Sequence, residues 1–253
     1  MRKLVYYVAA SIDGYIADRH GDFSAFPQTP DTLQELFARY PETCPVHVRE
    51  ALGVTGEARR FDAVIMGRRT HQPALDAGLL DGAYPHLTQY VVTHEPLPPS
   101  PSVQRVDRDP AGFIADLKRQ PGKDIWLCGG GNLAAQLLDE IDEIQIKVNP
   151  ILLGEGIPLI RGSKAPLLIE LAGSEQLPGG IVLNTYRRAQ GPVGRVALDG
   201  VLRSSGFVAD LSSHRVRAGM KTGGALSIWR RGPRAERHAG RGAWSCKRGA
   251  AWL

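Results

Sequence analysis

Cysteine is scarce in this sequence, and its spacing argues against both a small zinc-binding domain and a small disulfide-rich domain. The 253 residues include three cysteines, Cys44, Cys128 and Cys246, and none belongs to a CxxC pair. Closely spaced cysteines are typical of structural zinc sites and of disulfide-rich secreted domains. We therefore expect neither a disulfide framework nor a bound metal ion.

Long hydrophobic runs are also lacking. No apolar run approaches the roughly 20 residues that a membrane-spanning helix needs. The first residues, MRKLVYYVAASIDG, lead from an apolar block into Asp13-Gly14 rather than into a small-residue cleavage site, which favours a β-strand over a signal peptide. We expect a cytoplasmic protein that makes no membrane contact.

Positive charge is concentrated at one end of the chain. Residues 191–253 contain 12 Lys and Arg against 3 Asp and Glu, whereas residues 1–190 contain 19 against 23. The end also lacks any regular apolar period, so we predict a folded domain over residues 1–190 and a disordered, basic, Gly- and Arg-rich tail over residues 191–253. A second reading of the tail is nucleic-acid binding, in which basic residues contact phosphates and Trp229, Trp244 and Trp252 stack on bases.

The body of the chain alternates strand-like and helix-like segments. Helices are indicated from Asp109-Pro110 to Pro121-Gly122, after Asn132 as an N-cap, and after Thr70 as an N-cap. Strands alternating with helices are typical of an α/β fold with parallel neighbours. The predicted strands are Leu4–Ala10, Ala63–Met66, Tyr90–Thr93, Ile125–Cys128, Ile144–Val148 and Ile181–Tyr186.

Three consecutive glycines, Gly129, Gly130 and Gly131, stand where a predicted buried strand meets a predicted helix. Free backbone N–H groups and the positive end of the helix dipole attract anions at such a junction. The absence of Cβ atoms would let a pyrophosphate approach the backbone, and GGGNLA fits the dinucleotide pattern GxGxxA. A tight strand–helix turn without any ligand is the alternative reading.

Two further strand ends carry groups that suit an anion. VIMGRRTH is again a buried strand, a glycine and a helix start, with two guanidinium groups that can bind phosphate oxygens in pairs. YVVTHEP ends its strand with a hydroxyl and an imidazole. Since the carboxyl ends of parallel strands lie at one edge of a sheet, the three ends should converge, as a dinucleotide with an additional 2′-phosphate requires.

With YVAASIDGYIA at the start and NPILLGEGIPLI near the end, these motifs make the chain resemble the dihydrofolate reductase superfamily over nearly all of residues 1–190. It is most similar to the branch of the riboflavin-biosynthesis reductase, the RibD C-terminal domain. The resemblance implies a dihydrofolate reductase-like, mixed, mostly parallel sheet flanked by helices. It also implies NADPH as the cofactor, lying across the strand ends.

The resemblance further implies which residues contact NADPH. Gly67, Arg68, Arg69 and Thr70 would hold phosphates, and Thr93 with His94 would neighbour the 2′-phosphate. The pyrophosphate would be covered by Gly129, Gly130, Gly131, Asn132 and Leu133, and the nicotinamide side would be lined by Ala9, Ala10 and Ile16.

A nicotinamide cofactor supplies a hydride, so a proton must come from elsewhere. Asp13, in the SIDG loop, is the candidate catalytic residue, as proton donor, water-orienting group or substrate ligand. Its alternative role is that of a turn aspartate before Gly14. Dihydrofolate reductases carry an acidic residue on the helix after this loop. Here Asp31 is predicted to cap that helix and Glu35 to lie on its surface, although Glu35 could reach the cleft. This departure from the dihydrofolate reductase pattern argues against folate as the substrate.

The expected function is therefore NADPH-dependent reduction of a small heterocyclic or carbonyl substrate. The chain has no HxE followed by PCxxC, so the zinc deaminase that often accompanies such a reductase is not expected. The alternatives are a nucleotide-binding protein of the same fold without efficient turnover, and nucleic-acid binding through the tail. A homodimer is expected from the resemblance, because homo-oligomers are common in that family.

Overall fold

The computed structural model describes residues 1–162 and 166–189. The tail over residues 191–253 lies outside them, so its predicted disorder and its alternative role in nucleic-acid binding both stay predictions. The same holds for the domain boundary at residue 190.

All six predicted strands are present, each within a few residues of its predicted bounds. Four further strands are short or exposed and do not show in the hydrophobic pattern. In chain order the strands are β1 (Leu4–Ser11), β2 (Tyr15–Ala17), β3 (Phe61–Gly67), β4 (Thr88–Val92), β5 (Val103–Val106), β6 (Asp124–Gly129), β7 (Ile141–Asn149), β8 (Ile157–Pro158), β9 (Ile169–Gln176) and β10 (Val182–Arg188).

Eight of these strands form one twisted layer in the order β5-β4-β3-β6-β1-β7-β10-β9. The six strands from β5 to β7 run parallel to their neighbours, whereas β10 is antiparallel to both β7 and β9. β2 and β8 form a separate antiparallel pair. The predicted α/β fold with a mixed, mostly parallel sheet is confirmed.

Helices cover both faces of the sheet. The helices are α1 (Pro30–Arg39), α2 (Val46–Arg49), α3 (Arg68–Asp76), α4 (Pro110–Arg119) and α5 (Gly131–Gln136). Leu36 of α1 and Ala74 of α3 pack in the hydrophobic core on one face, with Trp126. Ile114 of α4 and Leu133 of α5 belong to the core on the other face. Burial on both faces explains the nearly continuous apolar runs of the central strands.

Three predicted helix caps are wrong, although the helix that Asp109 caps is confirmed. α5 begins at Gly131 with Gly130 as its N-cap, so Asn132 lies inside the helix. α3 begins at Arg68 after Gly67, so Thr70 lies in its first turn. α1 begins after Thr29 rather than at Asp31, because Pro30 suits the first helical position.

A buried carboxylate fixes the segment that leads into β3. Glu42 is fully buried, and its two oxygens accept hydrogen bonds from the backbone N–H groups of Arg59, Arg60 and Phe61 at 3.0, 2.7 and 2.7 Å. Hydrogen bonds of this kind satisfy both the charge and the three donors, which would otherwise be costly to bury. Glu42 therefore positions the start of the strand that ends at Gly67.

No helix within the described residues is long and apolar enough to cross a membrane. Across residues 1–162 and 166–189, no group of three or more His, Cys, Asp or Glu side chains is arranged to hold a metal ion.

Candidate functional site

A cleft of about 1020 Å³ lies at the carboxyl ends of the parallel strands β1, β3 and β6. In open α/β sheets this edge is the usual place for ligands, because loops and helix starts meet there. Eleven of the fifteen predicted site residues line the cleft. The other four, Ala10, Asp13, Thr93 and His94, lie outside its lining.

Each of the three positions in the turn after β6 is constrained differently. Gly129 has φ +139°, a conformation that L side chains rarely adopt, and its peptide bond to Gly130 is cis. A Cβ on Gly131 would lie 2.2 Å from the carbonyl oxygen of Pro158, so close packing of backbone explains that position. Gly130 has an ordinary φ, and a Cβ there would meet no atom closer than 3.8 Å.

Gly130 therefore has neither a conformational nor a packing reason to be glycine, and it leaves open a volume that a ligand could occupy. The nearest atoms to that volume are the Ile16 Cδ1 and the Thr70 Oγ1, both 3.8 Å from the ideal Cβ position. Ile16 and Thr70 also line the cleft. The space beside Gly130 is thus bounded by an apolar group on one side and a hydroxyl donor on the other.

Arg68, the first residue of α3, holds a guanidinium with unused donors. Its Nε and Nη1 are buried and have no hydrogen-bond partner in the described residues. The nearest anionic group is the Glu95 carboxylate, whose Oε2 lies 3.5 Å from Nε and whose side chain is 73% exposed. Buried donors are almost always satisfied in folded proteins, so this pair of N–H groups is a candidate for an anionic ligand.

His71, one turn further along α3, also lines the cleft. Its Nδ1 is buried without a hydrogen-bond partner in the described residues. Burial, and then the nearby Arg68 charge, hold the pKa of His71 below its ordinary value, so its imidazole is neutral at pH 7. The motif VIMGRRTH contains this histidine, but nothing in the pattern distinguishes it from a core residue.

Thr93 and His94 follow β4 near the same edge but do not line the cleft. Thr93 is buried, and its Oγ1 accepts a hydrogen bond from the Glu95 N–H at 3.0 Å. His94 is exposed, and its backbone carbonyl accepts a hydrogen bond from Arg105 Nη1 at 3.3 Å. Arg105 is a cation on the neighbouring strand β5 that sequence reasoning did not single out.

On β1, only one of the two predicted alanines lines the cleft. Ala9 lies on the same side of the sheet as Tyr7 and lines the cleft with it. Ala10 points to the opposite side and is 2% exposed. Of the three residues predicted at the nicotinamide side, Ala9 and Ile16 line the cleft and Ala10 does not.

Asp13 is exposed and serves the loop that follows β7. Its Oδ1 accepts a hydrogen bond from the Leu153 N–H at 3.1 Å, and its Oδ2 accepts one from the Gly154 N–H at 2.7 Å. Hydrogen bonding, first from Ser11 and then from these backbone groups, lowers the pKa of Asp13. The geometry favours the turn role over the catalytic role, which stays a prediction.

The inner part of the cleft contains a group that sequence reasoning missed, Lys147 of β7. It is 7% exposed and lines the cleft with Tyr7, Trp126 and Cys128. Its Nζ lies 4.2 Å from the centroid of the Tyr7 ring. Burial lowers the pKa of Lys147 to about 8. The one signal in the sequence was a lysine inside the mostly buried strand IDEIQIKVN. Lysine is rarely buried, so its presence in such a strand indicates a special role.

Comparison with known proteins identifies a family for this chain. The family model described as the RibD C-terminal domain matches residues 2–183. The uncharacterized protein YwjB of Bacillus subtilis (strain 168) is 30% identical over 194 residues, a match that covers 74% of this chain and 98% of YwjB. A second uncharacterized protein of that strain, YyaP, is 24% identical over 205 residues, with 73% and 94% coverage.

Among solved structures, a protein of Shewanella sp. PV-4 that is named for riboflavin biosynthesis has 27% sequence identity and a TM-score of 0.55. The match covers 75% of this chain and 100% of that one. The predicted resemblance to the riboflavin-biosynthesis branch of the dihydrofolate reductase-like fold is thereby confirmed.

Proposed function

Because the chain belongs to the family of the RibD C-terminal domain, we propose that it is an NADPH-dependent reductase of a small heterocyclic or carbonyl substrate. The observation that carries this proposal is the pair of unused, buried guanidinium donors of Arg68 beside the glycine turn after β6. Family membership supports the reductase class, and the donors support a phosphorylated cofactor.

The residues present fit NADPH at the outer part of the cleft. Arg68 would hold a phosphate through Nε and Nη1, with Arg69 adding positive charge at the same helix start. Thr70 would offer its hydroxyl, and the space beside Gly130 would accommodate the pyrophosphate. The first N–H groups of α3 and α5 have no partners within their helices and would add donors.

The inner part of the cleft fits a small planar substrate. Trp126, Tyr84 and Phe37 are buried aromatic residues that line it, and Lys147 adds one polar group. NADPH, when bound, supplies a hydride, and the task of these side chains is to hold the substrate in one orientation and to exclude water.

Calorimetric titration of the full-length chain with NADPH and with NADH tests this proposal. We expect a stoichiometric complex with NADPH at micromolar Kd and weaker binding of NADH. Gly130→Val should abolish binding of both, since a branched side chain would fill the space beside Thr70 and Ile16.

Gly173→Val is the matched control for that substitution. Gly173 lies on the exposed strand β9, and no atom lies within 4 Å of its ideal Cβ position. Its variant should bind NADPH as the wild type does. Binding that survives in Gly130→Val would contradict the proposed cofactor position, and NADPH binding without oxidation across heterocyclic and carbonyl acceptors would favour a nucleotide-binding protein instead.

A further inference from the structure

Lys147 is the basic group of the inner cleft that lies next to the predicted nicotinamide side. In the parallel pairing of β1 with β7, Lys147 is the register partner of Ala9. Neighbouring strands lie about 5 Å apart, and both residues line the cleft. The side chain of Lys147 thus extends from β7, the strand next to β1, and β1 would border the nicotinamide ring.

Within residues 1–162 and 166–189, Lys147 has no anionic side chain within salt-bridge distance. None of the salt bridges among the described residues involves Lys147. Lys118 is a useful contrast, because it is equally buried but pairs with Asp142 at 2.8 Å and Glu140 at 3.7 Å. A buried ammonium without a carboxylate partner is costly, so its retention in the cleft points to a partner that arrives with a ligand.

The groups that face Lys147 from neighbouring strands are neutral. Tyr7 of β1 places its ring under Nζ, and burial raises the pKa of its phenol. Cys128 of β6 also lies near Lys147, and burial raises the pKa of its thiol to about 12, so that the thiol is neutral at pH 7. On β7 itself, Glu143 is bonded to Arg60 at 2.8 Å, and Gln145 donates to Glu143 at 2.8 Å.

Burial without a paired carboxylate explains why Lys147 loses its proton readily. The main cause of its lowered pKa, about 8, is burial. An acid whose pKa lies near the working pH is suited to general acid catalysis, because it is both protonated and able to release the proton. Asp13 is poorly suited, since its carboxylate oxygens already accept hydrogen bonds from Leu153 and Gly154 and its pKa is lowered.

We propose that Lys147 is the proton donor of the reaction, acting on the oxygen or nitrogen of the reduced double bond at the inner end of the cleft. This inference rests on the proposed reductase function. The substrate carbon gains the hydride of NADPH, which is oxidised to NADP⁺, and the π electrons of C=O or C=N form the new bond to the Nζ proton. Lys147 is left as a neutral amine and recovers its proton from water.

Competitive acetylation of lysines in the full-length chain, read by peptide mass spectrometry across pH 6 to 11, tests the placement without any substrate. Labelling of Lys147 by acetic anhydride should reach half its maximum near pH 8, in line with its lowered pKa. Exposed Lys3 serves as the internal reference for an accessible lysine. Lys118, held by its carboxylates, should react least.

Ligand protection then locates Lys147 relative to the two ends of NADPH. At about ten times its Kd, NADPH should slow Lys147 labelling about tenfold, because only the free protein then reacts. Adenosine 2′,5′-bisphosphate has no nicotinamide and should leave Lys147 labelling unchanged while it occupies the phosphate side. Equal protection by both ligands, or none by bound NADPH, would overturn the placement.

Kinetics test the chemical role. With the first carbonyl or cyclic imine acceptor that the wild type reduces, Lys147→Ala should lower kcat about 100-fold or more while the Kd for NADPH stays within about twofold. Added methylamine should restore part of the rate, which a purely structural role would not allow. An unchanged kcat would overturn the inference alone, whereas absence of NADPH binding by calorimetry would overturn the proposed function as well.

Discussion

Replacement of Arg68 by alanine tests the cofactor side of the cleft most directly. The structure leaves two of its guanidinium nitrogens, Nε and Nη1, buried and without hydrogen-bond partners. A hydrogen bond to a charged group contributes about 1.5 to 3 kcal/mol. Loss of the guanidinium should therefore weaken NADPH binding by about 10- to 150-fold, since about 1.4 kcal/mol corresponds to a factor of ten in Kd.

The comparison between NADPH and NADH shows which phosphate Arg68 contacts. If it contacts the 2′-phosphate, the Kd for NADH should change by less than about threefold, because NADH lacks that group. Calorimetry at two salt concentrations supplies the assay, and the gap between wild type and variant should narrow at high salt as ionic interactions are screened. Equal losses for the two cofactors would refute the 2′-phosphate assignment and indicate pyrophosphate contact or misfolding.

Glu95→Gln is a control at the same position that should change NADPH affinity in the opposite direction. Its carboxylate lies 3.5 Å from Arg68 Nε and is largely exposed, so it competes with a bound phosphate for the guanidinium. Exposed ion pairs contribute about 0.2 to 1 kcal/mol, so the variant should bind NADPH about 1.5- to 5-fold more tightly. Weaker binding in Glu95→Gln would contradict the view that the two anions share one cation.

Two further predictions concern stability. Glu42→Ala should lower the free energy of unfolding by about 4 kcal/mol, because three backbone N–H groups lose their acceptor; a urea midpoint within error of the wild type would contradict this. Lys147→Met should be more stable than the wild type by up to about 3 kcal/mol below pH 8, because burial lowers the lysine pKa from 10.5 to about 8 and so penalises the charged form. Between pH 8 and 10.5 the unfolded chain retains a proton that the folded chain has lost, so wild-type stability rises with pH and the difference between the two proteins should shrink. Urea midpoints at pH 7, 9 and 10.5 measure that difference, and a constant value would be inconsistent with a buried, titrating lysine.

Hydrophobic patterning predicted the parts of the fold that are buried on two sides. β3 and β6 read as continuous apolar runs, and both form the centre of the sheet. β9, IELAGSEQ, is exposed at every position and carries no such signal. α5 ends at Gln136, since the apolar residues after it continue toward β7 rather than along the helix.

The parts of the site that local sequence motifs form could be predicted. The parts that depend on contacts between residues far apart in the chain could not. The glycine turn after β6 and the start of α3 were visible as strand–glycine–helix junctions, and both line the cleft. Asp13 is a few residues from Ala9 in sequence, yet its carboxylate binds the loop after β7. Lys147 lies just before the NPILLGEGIPLI motif but far along the chain from Ala9, and only the pairing of β7 with β1 brings the two residues together.

Trp126 gives the inner cleft an optical reporter of its own. It is the one tryptophan within residues 1–190, is 5% exposed, and donates its indole N–H to the Tyr7 carbonyl at 2.9 Å. Replacing Trp229, Trp244 and Trp252 with phenylalanine would make Trp126 the only tryptophan that contributes to the emission spectrum. Energy transfer from that single indole to a nicotinamide ring would then report occupancy in real time, while a red shift would report exposure of the same side chain on unfolding.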